Sequence, residues 1–162
     1  TQEVMDILKK ATLQLFSESN IQQHFADTSD TLCYATNENQ SATLALSKVE
    51  ADLAFVVGGY NSSNTMHLVE ILEHSFPTYH VRDAGEMIDQ SQVRHFNQWE
   101  KEILETTNWL ERSRNPLKIA LTSGASCPDA LVDEVLMRLL EFFPGHRDIE
   151  DVLTPFEATG TF

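Results

Sequence analysis

The sequence predicts an α/β fold in which helices flank a parallel sheet. Short, continuous apolar runs alternate along the chain with longer segments whose apolar residues recur at helical spacing. Continuous apolar runs are typical of parallel strands that are covered on both faces. The resulting order of strand, helix, strand, helix, strand and helix favours a single parallel sheet.

Three apolar runs are the predicted strands of this sheet. They are residues 52–57 (DLAFVV), 78–81 (TYHV) and 117–122 (LKIALT). Turn-forming residues follow the first and third runs directly. Because ligands of open parallel sheets bind at the carboxyl ends of the strands, these turns are where we expect a binding site.

Apolar residues at helical spacing predict five helices around the strands. The segments are residues 1–17, a helix from about 36, a helix ending near 75, part of 83–112, and 128–143. The predicted buried face of the second helix is Ala42, Ala45, Leu46 and Val49. Trp99 and Trp109 are predicted to be packing residues, and the segment from His146 a short strand or a linker.

Composition and charge limit the possible partners. The 162 residues include 11 Lys and Arg against 25 Asp and Glu, a formal net charge of −14. Such a chain repels phosphate backbones, so we expect no nucleic-acid partner. The longest apolar runs are far too short to span a bilayer, and we expect no membrane partner. Because Thr1 leads directly into a helical pattern, we expect the chain to be part of a longer protein.

The turn at residues 58–64 (GGYNSSN) combines two glycines with hydroxyl and carboxamide side chains. Glycines let the backbone approach a ligand closely, and the N-terminus of the following helix favours an anion. The competing interpretation is that Ser62 or Ser63 only caps the helix. A cap alone does not account for four consecutive polar residues behind a buried strand.

The turn at residues 123–126 (SGAS) repeats the pattern of strand, glycine and helix. Ser126 and Asp129 have the spacing of a capping box, and Pro128 suits a first helical turn. Ser126 is therefore predicted to cap this helix. A second phosphate-facing helix terminus is compatible with that role, because a cap hydroxyl can also face a ligand oxygen.

Two cysteines, Cys33 and Cys127, indicate a reducing compartment and not a disulfide scaffold. The ordinary interpretation of each is a small buried hydrophobe. Cys33 also precedes a predicted helix, whose positive end would favour the metal-binding thiolate. The six histidines show no metal-binding pattern and are interpreted as surface or interface residues; they are His24, His67, His74, His80, His95 and His146.

Three segments together resemble the 4-hydroxy-3-methylbut-2-enyl diphosphate reductase (IspH/LytB) family. Residues 33–40 (CYATNENQ) resemble the family segment CYAT-x-x-x-Q, and residues 56–65 (VVGGYNSSNT) resemble VVGG-x-NSSNT. Residues 121–129 (LTSGASCPD) are similar to T-(A/S)-GAS-x-P-(D/E). The three segments occur in the family order, each at a predicted strand-to-helix turn, because residues 31–34 (TLCY) are predicted as a further short strand ahead of the second helix. The segment 83–112 is longer than in the short bacterial forms.

The resemblance implies a fold and a domain organisation. The family fold is a trefoil of three α/β units around a central cluster. Residues 1–30 would be the final helix and linker of the preceding unit, and 31–145 the C-terminal α/β unit. Residues 146–162 would be an acidic tail.

The resemblance also implies site residues. Cys33 would be a ligand of a 4Fe–4S cluster in the full-length enzyme, a cluster expected to be absent from this fragment. The substrate diphosphate would be held by Ser62, Ser63, Asn64 and Ser126. No catalytic residue is expected in this fragment, since the other ligands and the proton-delivering groups would lie upstream.

The implied reaction is the reductive dehydroxylation of an allylic alcohol diphosphate to isopentenyl and dimethylallyl diphosphates. This reaction is the last step of the non-mevalonate pathway of isoprenoid synthesis. The implied partners are the diphosphate substrate, the rest of the same polypeptide, and reduced ferredoxin or flavodoxin as electron donor. The implied location is the bacterial cytoplasm or the plastid stroma.

Two other functions are open on the residues alone. A non-redox phosphate- or nucleotide-binding module explains the serine-rich turns but not Cys33-Tyr34-Ala35-Thr36. An acidic interaction domain would bind no diphosphate. Calorimetry with diphosphate distinguishes the interaction domain from the two diphosphate-binding interpretations. The iron content of the full-length protein distinguishes the reductase from the non-redox module.

Overall fold

The computed structural model describes residues 2–15, 34–110 and 116–159. Contacts divide the chain into two units, residues 1–33 and 34–162. In the first unit the structure describes one helix, α1 (Gln2–Leu15), as its amphipathic pattern predicted.

The second unit is an α/β fold, which confirms the predicted class. Its described strands are β1 (Leu53–Val57), β2 (Thr78–Val81), β3 (Gln92–Asn97), β4 (Glu102–Thr107) and β5 (Ile119–Ser123). Its described α-helices are α2 (Tyr34–Leu46), α3 (Ser63–Glu73), α4 (Asp129–Glu141) and α5 (Ile149–Thr159). None of the helices in these described ranges is long and apolar enough to cross a membrane.

The three predicted strands form one parallel sheet in the order β2-β1-β5. Val57 at the end of β1 pairs with Val81 of β2 on one side and with Ser123 of β5 on the other. All three strands therefore end at the same edge of the sheet. All five residues of the central strand β1 are buried, as a continuous apolar run predicts for a strand covered on both faces.

Alternate residues of β1 enter different halves of the core. Phe55 points into the half that contains Trp109 and the apolar face of α4, with the two ring centroids 5.4 Å apart. Val56 points into the other half, where α3 contributes Leu68 and Leu72. This two-sided burial confirms the predicted packing role of Trp109 and fixes the sheet between the helices.

The prediction of a helix within residues 83–112 is wrong. The segment forms a short 3₁₀ helix (Ala84–Glu86) and then an antiparallel hairpin of β3 and β4. The Asn97 side-chain oxygen accepts backbone N–H bonds from Trp99 and Glu100, and Lys101 has the left-handed φ of 57°. These features form the hairpin turn and leave Trp99 70% exposed, so its predicted packing role is also wrong.

Two further predictions about helices are corrected. In α2 Thr43 is buried, whereas the predicted Ala42 and Ala45 are exposed. Leu46 is half-buried against the core, as predicted, and Val49 is exposed beyond the end of the helix. The segment after residue 146 contains α5, and not a strand or a linker. Asp148 accepts the backbone N–H of Glu150, and acidic residues in the first turn favour a helix N-terminus.

Candidate functional site

The turns after β1 and β5 are neighbours at the carboxyl edge of the sheet. Backbone pairing continues one residue past the strands, since Gly58 N–H donates to Val81 O and Gly124 N–H donates to Val57 O, each at 3.0 Å. The predicted meeting of these two turns is therefore confirmed. It brings Ser62, Ser63 and Asn64, on the first turn and helix α3, to the same edge as Ser126.

The helix α2 reaches this edge as well. Its Thr43 hydroxyl lies 3.5 Å from the hydroxyl of Thr122, and the Asn39 amide donates to the Ser123 carbonyl at 2.9 Å. From Thr43 to Asn39, which is one helical turn toward the N-terminus of α2, the contact in β5 thus shifts from Thr122 to the last strand residue, Ser123. The N-terminus of α2 at Tyr34 consequently points to the carboxyl edge. Cys33, the predicted cluster ligand, lies outside the described residues.

Ser62 is the N-cap of α3. Its backbone is extended (φ −83°, ψ 110°), and its hydroxyl accepts the Thr65 backbone N–H at 3.2 Å. The capping interpretation is therefore correct for Ser62. Ser63 is the first helical residue, is exposed, and lines an open groove together with Gln98 and Trp99 of the hairpin.

Asn64 is the residue that capping does not explain. Both polar atoms of its side-chain amide are buried, and neither has a hydrogen-bond partner among the described residues. A buried polar atom without a partner costs about 1–3 kcal/mol in desolvation. Such groups in folded proteins call for an explanation, and a ligand that pairs with them is one.

Ser126 does not cap α4, contrary to the capping-box expectation. The helix begins at Asp129, and its N-cap is Pro128, which makes no side-chain cap bond. Pro128 has an extended backbone (φ −62°, ψ 136°), and a proline also disfavours helical geometry in the residue before it. Ser126 is consequently exposed in the turn, outside the helix.

Thr65 packs against both glycine turns, a role that was not predicted from the sequence. It is fully buried, and its hydroxyl has no hydrogen-bond partner among the described residues. A Cβ added to Gly58 would lie 2.7 Å from the Thr65 hydroxyl, and one added to Gly124 would lie closer still. Thr65 therefore fills the space that both glycines leave open, and the spacing of the two turns depends on all three residues.

This packing gives a test at Gly124. Gly124→Ala should lower the free energy of unfolding by about 1–3 kcal/mol, because its methyl group overlaps Thr65 in a packed site. Gly59→Ala is the matched control, since its methyl group meets no described atom within 4 Å. Chemical denaturation of both variants measures the difference. Equal stability of the two variants would contradict the close packing of Thr65.

The expectation that all six histidines are surface or interface residues is wrong for His80. This residue is fully buried in β2, with its ring Nε2 3.1 Å from the Gly58 carbonyl oxygen. Burial lowers the pKa of His80 to about 4, although the hydrogen bond to Gly58 acts in the opposite direction, and His95 contributes a smaller lowering. Burial, and then the Glu86 carboxylate, raise the pKa of the neighbouring Tyr60.

The described residues do not by themselves fit an iron–sulfur cluster. They contain no group of three or more His, Cys, Asp or Glu side chains placed to hold a metal ion. The described cysteine is Cys127, whose pKa is raised by burial and then by the Asp129 carboxylate. A raised pKa disfavours the thiolate that ligates metals, so Cys127 is a poor candidate ligand.

The sequence matches one protein family over most of its length. The sequence model of the family described as LytB protein matches residues 1–140. The chain belongs to the LytB protein family. This membership confirms the resemblance that the three motif segments indicated.

Curated relatives of this LytB-family chain are named 4-hydroxy-3-methylbut-2-enyl diphosphate reductase. The protein from Gloeobacter violaceus is 34% identical over 142 residues, which are 87% of this chain and 33% of the relative. The protein from Thermosynechococcus vestitus is 37% identical over 140 residues, 86% of this chain and 34% of the relative. The chain thus spans about a third of the length of the curated relatives it matches.

A solved structure described as (E)-4-hydroxy-3-methyl-but-2-enyl diphosphate reductase, the terminal enzyme of the non-mevalonate pathway, is similar to this chain. The two are 27% identical, and the match covers 68% of this chain and 32% of that chain, with a TM-score of 0.47.

Proposed function

We propose that this chain is about one third of a 4-hydroxy-3-methylbut-2-enyl diphosphate reductase and supplies the part that holds the substrate's diphosphate. The observation that carries the proposal is the buried amide of Asn64, unpaired among the described residues, beside two glycine turns at one sheet edge. Family membership and the names of the curated relatives support the reductase assignment.

In this proposal Ser62, Ser63, Asn64 and Ser126 bind the diphosphate. The Ser63 and Ser126 hydroxyls are exposed at the carboxyl edge, and Asn64 offers an amide donor. The N-terminus of α3 adds backbone N–H groups and a partial positive charge. Ser62 keeps its capping bond to Thr65 and can face an oxygen of the ligand at the same time.

Cys33 is the proposed cluster ligand of this chain. It immediately precedes Tyr34, where α2 begins, and the N-terminal end of a helix favours a thiolate. The chain contains only Cys33 and Cys127, so the rest of the same polypeptide would supply the remaining ligands. We accordingly propose residues 1–30 as the end of a preceding unit, 31–145 as the C-terminal unit and 146–162 as a tail.

The proposed reaction replaces the allylic hydroxyl by hydrogen. Two electrons and two protons enter, the carbon–oxygen bond breaks, and water leaves with either isopentenyl or dimethylallyl diphosphate as the product. A bound 4Fe–4S cluster would supply the electrons. The residues of this chain bind the opposite end of the substrate, which limits how far the hydroxyl can move from its reactive position.

The electron donor and the location belong to the same proposal. Reduced ferredoxin or flavodoxin would deliver the electrons, and the reaction would take place in the bacterial cytoplasm or the plastid stroma. The bacterial origin of the relatives named above supports the first of these locations.

The proposal predicts different behaviour for this chain and for the complete protein after iron and sulfide reconstitution. The 162-residue chain should show no reductase activity and no stable four-iron cluster, because Cys33 is the one cluster ligand it is proposed to supply and the others would lie in the rest of the polypeptide. The complete protein should show both. Iron analysis and product analysis after chemical reduction measure the difference. A complete protein that binds diphosphate but no iron would favour a non-redox phosphate-binding module instead.

A further inference from the structure

We propose that His80 is a positioning residue for the diphosphate site, acting through a hydrogen bond from its ring Nε2–H to the Gly58 carbonyl. By holding this carbonyl, His80 would keep the turn between β1 and α3 in the conformation that presents Ser63 and Asn64 to the ligand. The inference rests on the proposed function of that turn.

The geometry assigns the tautomer of His80. The ring Nε2 lies 3.1 Å from the Gly58 carbonyl oxygen, which can only accept a hydrogen bond, so Nε2 carries the proton. The ring Nδ1 is buried and has no partner among the described residues. Protonating Nδ1 would place a second N–H and a charge in the core. The pKa near 4, lowered mainly by burial, agrees with a ring that stays neutral.

Aromatic rings from two segments contact the His80 ring and restrain it. Tyr60, in the same turn as Gly58, lies edge-on to His80 with ring centroids 5.1 Å apart. Phe96 of the hairpin lies edge-on to His80 at 5.8 Å and stacks on Tyr60 at 4.8 Å with an interplanar angle of 17°. The hairpin and β2 therefore enclose the turn, and the His80 ring has little freedom to leave the Gly58 carbonyl.

The held carbonyl belongs to the first of two adjacent glycines that open the turn. Both backbone groups of Gly58 are bonded to β2 or its side chains, through Val81 O and through His80. The next residue, Gly59, would tolerate an added Cβ without contact, and its carbonyl accepts the Ser62 backbone N–H at 3.0 Å. Two adjacent glycines have a large conformational freedom to lose on ordering. Fixing Gly58 reduces that freedom at the start of the turn, four residues before the cap Ser62.

Two substitutions separate the hydrogen bond from the packing. His80→Phe keeps an aromatic ring of similar size against Tyr60 and Phe96 but removes the donor. His80→Gln places an amide Nε2 at about the reach of the histidine Nε2 and keeps the donor. His80→Met is a second donor-free variant, which takes the place of His80→Phe if the latter does not fold.

The experiment measures inorganic pyrophosphate binding to the complete, cluster-loaded reductase by calorimetry, together with KM and kcat for the substrate. His80→Phe or His80→Met should weaken pyrophosphate binding about tenfold, the scale of one lost hydrogen bond, with iron content unchanged. KM should rise more than kcat falls. His80→Gln should remain within about threefold of the wild type, because it retains the donor.

Either of two results would overturn the inference. Donor-free variants that bind pyrophosphate as tightly as the wild type would show that the hydrogen bond does not position the turn. A His80→Gln variant as weak as His80→Phe would assign the loss to packing instead. A wild-type reductase that does not bind pyrophosphate would refute the proposed diphosphate site itself, so the two failures are distinguishable.

Discussion

Cys33→Ser in the complete protein should remove the iron–sulfur cluster or deplete it strongly, and activity should fall with it. Serine lacks the thiolate, and the cluster would lose the one ligand that this chain is proposed to give. Cys127→Ser is the matched control and should leave iron content unchanged, because burial and Asp129 raise the pKa of the Cys127 thiol.

Iron and sulfide content, measured alongside the visible spectrum after anaerobic reconstitution, tests this pair. Each variant replaces one cysteine sulfur by a serine oxygen, so a general effect of losing a thiol would appear in both. Equal iron loss in Cys33→Ser and Cys127→Ser would contradict the assignment of Cys33 as the ligand. Full iron content in Cys33→Ser would contradict it as well.

Asn64→Ala and Ser63→Ala should each lower kcat/KM by about tenfold to a hundredfold, without loss of iron. A hydrogen bond to a charged group contributes about 1.5–3 kcal/mol, and about 1.4 kcal/mol is a factor of ten. The loss need not appear in KM alone, because a loosely held diphosphate lets the distant hydroxyl leave its reactive position. Asn64→Asp should be worse than Asn64→Ala, since a carboxylate repels the diphosphate.

Steady-state kinetics with parallel iron analysis measures these effects. Ser75→Ala is a control for Ser63→Ala, because Ser75 is an exposed serine just beyond the opposite end of α3. It should behave as the wild type. Wild-type kinetics in both Asn64→Ala and Ser63→Ala, with iron unchanged, would mean that these residues serve only the start of the helix.

The parallel sheet was predictable because each of its strands is a short apolar run that can be recognised in the local sequence. Residues 52–57 are a continuous apolar run, and this pattern is typical of the fully buried strand that β1 proves to be. The hairpin was not predicted, because Val93, Phe96 and Ile103 also satisfy a helical spacing. Two features favour strands instead, namely the alternating exposure along β4 and the turn at Asn97. Both depend on the pairing of β3 with β4, which the spacing of apolar residues does not reveal.

The site was predictable in its turns but not in its supports. Glycines followed by serines and asparagine mark residues 58–64 in the sequence itself. Thr65 and His80 act through partners that are distant in sequence, Gly124 and Gly58, and neither residue type signals such a role. A threonine after the NSSN segment, with a glycine in each of two turns, was the available signal for Thr65. For His80 the signal was its place in a buried strand.

A crystal structure of the complete protein with its diphosphate substrate would show directly whether these two turns hold the diphosphate. We expect diphosphate density at the carboxyl edge of the β2-β1-β5 sheet, with oxygens within hydrogen-bond distance of the Ser63 and Ser126 hydroxyls and the Asn64 amide. The Asn64 amide would then be paired. Diphosphate bound elsewhere, with Asn64 still buried and unpaired, would refute the proposed diphosphate site.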